Sequence, residues 1–323
     1  MIHNHSASSD SRPAVRPCGP AAKRAAFLLL AFVLSGCCAA KPLEPSRIID
    51  THIHLYDTSR PQGVPWPGKN EPILYKPHLP ADFAAIAKAN DVKGTVIVEA
   101  SGWVDDNQWL LDLVKDDPHY VGIVGNLWPG KPDFKENLER FAKDKRFRGI
   151  RPRVDAPLTL TAEGVLADLQ LLADKGLTLD IITSRSTLEQ VAIVAEKIPN
   201  LKIVINHLAG VKVDGKEPDA IWTTRVKACA KHPNVYCKIS GLDQQDGSRP
   251  AATALAFYTP VLNVLYDAFG EDRLIYGSNW PVTNLRSDYA THRYLVVAYF
   301  RPKGQAVLDK VFWKNATKAY GLE

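Results

Sequence analysis

The run Ile48-Ile49-Asp50-Thr51-His52-Ile53-His54-Leu55 decides how the rest of the chain is read. An apolar run carrying two histidines two residues apart is the pattern of a buried strand, and the strand period sends His52 and His54 to the same side. Both imidazoles then share one pocket. From one wall they can clasp a metal together, or one can bind while the other handles a proton. Two histidines that simply flank an apolar residue leave the same three letters, so the remaining sequence has to decide.

Working outward, β-type apolar runs recur at 94–100, 120–127, 147–153, 177–183, 201–207, 234–240 and 273–279. Segments with helical spacing lie near 80–90, 106–116, 133–144, 162–175, 187–197, 217–231, 251–269, 285–299 and 304–320. With the histidine strand this makes eight strands, each followed by a helix. Parallel strands need crossover helices and become buried on both faces, so the expected fold is α/β, a single-domain (β/α)8 TIM barrel over residues 47–323. The competing doubly wound sheet is weakened because no Gly-rich phosphate turn follows the first strand. The irregular stretch Thr58 to Leu79, with Pro65-Trp66-Pro67-Gly68, is long enough to act as a rim or lid. Within it Trp66 either covers a substrate ring or plugs the packing between its prolines.

A barrel gathers the carboxyl ends of its strands at one mouth. Here those ends carry His52 and His54, Glu99, Asn126 and Trp128, Arg151 and Arg153, Asn206 and His207, Lys238 and Ser240, and finally Ser278-Asn279-Trp280. Polar groups closing otherwise apolar strands are costly to bury without a task, so the set is read as functional. Lys238 holds an oxyanion or carboxylate at the mouth, or pairs with Asp243. For Arg151 the structural alternative is an ion pair with Glu99 or Asp155. His78, His119, His232 and His292 fall beside prolines and charges and are read as surface residues, while Trp222 and Tyr236 are read as packing.

The 323 residues are 46% hydrophobic and 23% charged, enough for a large core. Of the net charge of +5, the first 36 residues hold Arg12, Arg16, Lys23 and Arg24 against Asp10, which leaves +2 and no case for nucleic acid. Lys23-Arg24 precede the apolar stretch 25–34, too short for a permanent membrane span. Leu34-Ser35-Gly36-Cys37 resembles the lipobox of bacterial lipoproteins. The expectation is a signal peptide over 1–36, a lipidated tether over 37–46 anchored through Cys37, and a barrel held in the periplasm. Cys38 rather than aspartate follows Cys37, which favours the outer membrane. A plain signal peptide cut after Ala39 or Ala40 is the alternative. Cys229 and Cys237 are read as two small buried thiols.

Taken together, IIDTHIHLYD, GTVIVEAS with DNQWLLDLV, RGIRPR, INHLAG, PNVYCKISGL, DRLIYGSNWPV and the terminal NATKAYGL resemble the amidohydrolase superfamily, in the branch of sugar lactonases and hydrolases of carboxylated lactones. The resemblance runs from about residue 48 to 322. It implies that His52, His54 and His207 face the site and hold one divalent metal, zinc or manganese, in members that have one, while other members work without. It also implies that Arg151 engages substrate oxygens; on the residues themselves, Glu99, Lys238 and Trp66 are read with it as substrate-binding. One position departs from the pattern: the aspartate usual in GSDWP is Asn279 here, and an amide cannot take a proton. The base then has to be His54, His207, Glu99 or a metal-bound hydroxide, with Asn279 orienting the water. No histidine closes strand 5, which argues against a binuclear zinc site. The expected activity is opening of a small lactone or related ester by water. Isomerisation, decarboxylation, or ligand binding without turnover are the alternatives, and the oligomeric state, a homo-oligomer included, stays open.

Overall fold

The computed structural model describes residues 42–152, 159–183 and 185–322. The leader, Cys37, Arg153 and Asp155 lie outside these. Eight strands, β1 (Ile48–Ile53), β2 (Val92–Val98), β3 (Tyr120–Gly125), β4 (Phe147–Ile150), β5 (Thr178–Ile181), β6 (Ile203–Ile205), β7 (Val235–Ile239) and β8 (Leu274–Tyr276), pair in parallel in chain order. The sheet closes through the residues after β8. There the Asn279 amide donates to the His52 carbonyl at 2.8 Å and the His54 amide to the Trp280 carbonyl at 2.8 Å. Gly277 makes the seam possible, since a Cβ there would sit 2.8 Å from His52 Cβ. The expected (β/α)8 barrel is therefore the fold observed.

The helices are α1 (Pro80–Ala89), α2 (Asp106–Leu113), α3 (Phe134–Phe141), α4 (Glu163–Asp174), α5 (Arg185–Lys197), α6 (Ala220–Ala230), α7 (Leu242–Asp246), α8 (Leu255–Phe269), α9 (Tyr289–Phe300), α10 (Gln305–Asp309) and α11 (Asn315–Tyr320). Local chemistry explains their form. In α3, Phe134, Leu138 and Phe141 are buried at helical spacing, and the polar residues between them face outward. The carboxylates of Asp219 and Asp288 cap α6 and α9 by accepting the amides of Trp222 and Thr291. The short α7 was not anticipated, because its five residues offer no apolar period to read.

Two cores result. The larger fills the space between sheet and helices, whereas the smaller lies inside the barrel, where Ala316, Ala319, Tyr320 and Leu322 of the C-terminal segment close the end opposite the mouth against Ile49, Val204 and Tyr236. Both Cys229 and Cys237 are buried free thiols, as expected. Two histidines read as surface residues are in fact buried. His78 packs edge-on against Trp280, and its main chain bridges Tyr56, while His292 lies under Tyr276. Aromatic neighbours distant in sequence cover both. Residues 43–46 also do not run free: Glu44 pairs with Arg293 at 2.7 Å and Arg301 at 2.5 Å, and the Ser46 amide donates to Asp309.

Candidate active site

At the carboxyl ends of the strands lies a cavity of about 330 Å³ lined by His54, Glu99, Arg151, His207 and Asn279, with Trp66 on one side and Asn206 below. Seven of the residues singled out in the sequence thus meet in one space. His52 and Lys238 sit beneath its floor, both wholly buried.

Each imidazole is held from behind. His54 Nδ1 lies 2.9 Å from the Val98 carbonyl, which can only accept, so that nitrogen carries the proton and Nε2 keeps its lone pair. That Nε2 faces the cavity, 3.3 Å from Asn279 Oδ1. Burial first and the Arg151 charge second push His54 down to about 3, so the ring is neutral at neutral pH. His207 Nδ1 lies 3.0 Å from Ser240 Oγ, and burial and then Arg151 hold it well below the ordinary histidine value. His52 is lowered in the same way, by burial and then by Lys238.

Unusual backbone aims His207. Residues His207, Leu208, Ala209 and Gly210 have φ of 50°, 52°, 55° and 66°, a single left-handed turn directly after β6. For residues with a Cβ this conformation costs roughly 1–2 kcal/mol each, so the surroundings must hold it. They do: the Trp222 indole donates to the Ala209 carbonyl at 3.0 Å, and Gly210 presses so close that a Cβ would lie 2.4 Å from the Thr183 carbonyl. Asn279 is also left-handed, at φ 65°, a region asparagine tolerates better than most residues.

Both cations are engaged by protein. Arg151 Nε donates to Glu99 Oε1 at 2.8 Å and Nη2 to the Glu99 carbonyl at 2.8 Å, while Nη1 lies 3.1 Å from His52 Nε2 and 3.4 Å from Asn206 Oδ1. Of the two readings of Arg151, the ion pair with Glu99 is present, and it holds the guanidinium in the cavity wall. Lys238 donates to Asp180 Oδ2 at 2.9 Å and to the Thr51 carbonyl at 2.9 Å. Its partner is therefore Asp180, not Asp243, and the ammonium supports the floor instead of reaching substrate. Asp180 also accepts from Tyr320 and Asn206, which ties the C-terminal plug to the site.

The donor set can be tested against a divalent metal. His52 has the Arg151 guanidinium on Nε2 and the Lys238 ammonium 3.4 Å from Nδ1, so neither nitrogen is open to a second cation. Asn279 supplies a neutral oxygen where a carboxylate would give charge. Among the described residues no group of three or more His, Cys, Asp or Glu side chains is arranged to hold a metal ion. As arranged, the three histidines do not fit one.

Reading of the sequence missed Gln244 and Gln245, which enter the cavity wall from α7, and Thr183 after β5. The Gln-Gln pair just beyond CKISGL was the available signal, but nothing local placed it over the mouth.

A closed parallel barrel with ionisable side chains converging on the carboxyl ends of its strands defines a (β/α)8 enzyme scaffold. The amidohydrolase family profile matches residues 49–322, and the chain belongs to that family. It is 29% identical over 253 residues to an L-fucono-1,5-lactonase of Burkholderia ambifaria, a match covering 76% of this chain and 83% of that protein. It is 26% identical to an L-rhamnono-gamma-lactonase of Scheffersomyces stipitis, covering 85% and 99%. An amidohydrolase of Burkholderia multivorans crystallised with HEPES superimposes with a TM-score of 0.77 at 23% identity, covering 86% of this chain and all of that one. A further crystal form of a Burkholderia multivorans amidohydrolase holds zinc.

Proposed function

We propose that this protein opens the lactone ring of a sugar acid by adding water to its carbonyl. The observation that carries the proposal is the open Nε2 of neutral His54 facing the same cavity as the Arg151 guanidinium: a proton acceptor and a fixed cation set around one space. Water held by Asn279 gives a proton to His54 Nε2 as its oxygen bonds to the lactone carbon. The Arg151 charge stabilises the oxyanion that forms, and that same anion offsets the burial of the new imidazolium. The carbon–ring oxygen bond then breaks, the ring oxygen takes the proton from His54, and a free hydroxy acid leaves. His207, fixed by Ser240, holds the carbonyl or the leaving oxygen from the opposite wall.

Substrate class follows from the charge balance. Arg151 is the one cationic side chain lining the cavity among the described residues, and Glu99 already neutralises it. The rest of the wall offers Asn206, Thr183, Gln245 and the Trp66 indole, groups suited to hydroxyls and a sugar face. A polyhydroxylated lactone without a carboxylate fits this wall better than a carboxylated ring. The lactonase relatives support the same reading.

The test is a panel of aldonolactones, including L-fucono-1,5-lactone and L-rhamnono-gamma-lactone, followed by acid release and product mass. Gain of one water, abolished in His54→Ala and His207→Ala, is the expected result. Loss of carbon dioxide or a product of unchanged mass would replace hydrolysis by decarboxylation or isomerisation. Binding of sugar lactones without turnover of any would leave a ligand-binding barrel. We also propose that the barrel is carried at the outer membrane by lipid on Cys37, which mass analysis of the mature N-terminal peptide tests.

A further inference from the structure

Asn279 is fixed at two points, and the second is unexplained by the barrel. Its backbone belongs to the seam, with its amide on the His52 carbonyl. Its side chain is held by Gln244, whose Oε1 accepts from Asn279 Nδ2 at 2.9 Å. The turn that brings Gln244 there is tight. Gly241, at φ 61°, leads into α7, and a Cβ on it would lie 3.0 Å from His207 Nδ1, 3.1 Å from Gln244 Oε1 and 3.5 Å from Asn279 Nδ2.

In this contact the oxygen end of the Asn279 amide is the one that meets His54. With Nδ2 committed to Gln244, Oδ1 faces His54 Nε2 at 3.3 Å. His54 keeps its own proton on Nδ1 for the Val98 carbonyl, so two acceptors confront each other with no hydrogen between them. Such a couple is satisfied by a molecule that donates twice, and water does so while leaving its oxygen lone pairs toward the cavity. Turned through a half circle, the same amide would donate Nδ2–H to His54 Nε2 and occupy the lone pair the reaction needs.

We propose that Gln244 is a positioning residue that holds Asn279 with its carbonyl oxygen toward His54, keeping His54 Nε2 open to take a proton from the attacking water. The inference rests on the hydrolytic reading for its kinetic consequence but not for its structural one. Gln244 itself is exposed at the rim, so its replacement leaves the core untouched.

Two substitutions of similar length separate the orientations. In Q244E the carboxylate can only accept, which keeps Asn279 Nδ2 turned away from His54. In Q244K the ammonium can only donate, which draws Asn279 Oδ1 to itself and turns Nδ2 onto His54. The uncharged Q244M removes the contact and controls for charge. Two readouts are taken on the intact protein: the ¹⁵N resonance of His54 Nε2 in histidine-labelled samples, and lactone kinetics. The expected result is an upfield shift of that resonance in Q244K, a smaller one in Q244M, and none in Q244E. In the kinetics, kcat falls about tenfold or more in Q244K with KM little changed, and Q244E recovers most of that loss. A His54 resonance that does not move in Q244K overturns the proposal, as does a defect confined to KM, which would make Gln244 a substrate contact. If the wild-type protein turns over no lactone, the hydrolytic reading fails while the resonance comparison still decides the role of Gln244.

Discussion

Asn279 and His52 show how single side chains set the chemistry of this mouth. At His52, a guanidinium on one nitrogen and an ammonium near the other mean that a metal would have to displace a cation and then sit beside it. Coordination is favoured by deprotonated, unencumbered donors, and a neutral amide at 279 adds no charge to offset the repulsion. Zinc titration of the purified barrel is therefore expected to load no stoichiometric site, and lactone turnover is expected to survive exhaustive chelation. One equivalent of zinc held by the wild type and lost in His52→Ala would refute this. The same reasoning predicts that Asn279→Ala lowers kcat more than it raises KM, because it removes a partner of the water and none of the substrate's own contacts.

Elements matter where they must take costly shapes. The left-handed turn after β6 places three residues with Cβ atoms in a strained region and relies on Gly210 to pass the Thr183 carbonyl. A methyl group there overlaps backbone that cannot withdraw, so Gly210→Ala is expected to destabilise by about 1–3 kcal/mol and to move His207. Urea unfolding and kinetics on the same sample measure both; unaltered stability would show that the turn relaxes freely. In α7, Asp243 is buried beside Gln244, and burial raises its carboxyl to about 6. A raised acid binds its proton more tightly in the folded state, so its contribution is present below the unfolded value and is lost as pH rises through about 6. The stability of Asp243→Asn relative to wild type is thus expected to improve between pH 4 and pH 7, by at most about 3 kcal/mol.

Across the whole molecule, buried charge and buried histidine set the response to mutation and acid. The Lys238–Asp180 pair has no exposed side-chain surface, and Asp180 also receives Tyr320 from the C-terminal plug. Asp180→Asn would strand the ammonium in the barrel and is expected to cost about 3–5 kcal/mol, read from chemical denaturation. His292, buried against Tyr276 with neither ring nitrogen partnered, is pushed by burial down to about 3. A depressed histidine is neutral when folded, whereas the unfolded chain takes up its proton below about pH 6.5. The stability it contributes is present above that value and is lost as pH falls. His292→Leu should narrow the fall in stability between pH 7 and pH 4 by about 3 kcal/mol, and an unchanged acid limb would place the loss elsewhere.

The division between what the chain alone announced and what folding added follows sequence distance. The strands were legible because parallel barrel strands are buried on both faces and appear as short apolar runs. Six cavity residues were legible because polar groups ending such runs stand out against them. Apart from Arg151 with Glu99, one of the pairings the sequence offered, partnerships were not legible. Lys238 and Asp180 are 58 positions apart, Asn279 and Gln244 35, and the Asp50 carboxylate that accepts the Ser278 amide lies 228 positions away. Periodicity and local motifs act over a few residues, so they sufficed for the barrel, its mouth and the candidate acid–base groups. Only the closed barrel decided that Arg151 and Lys238 are neutralised in place, that His52 is enclosed by cations, and that Gln244 of α7 meets the amide of Asn279. Those choices depend on which strand ends meet across the mouth, a distance that only closure sets.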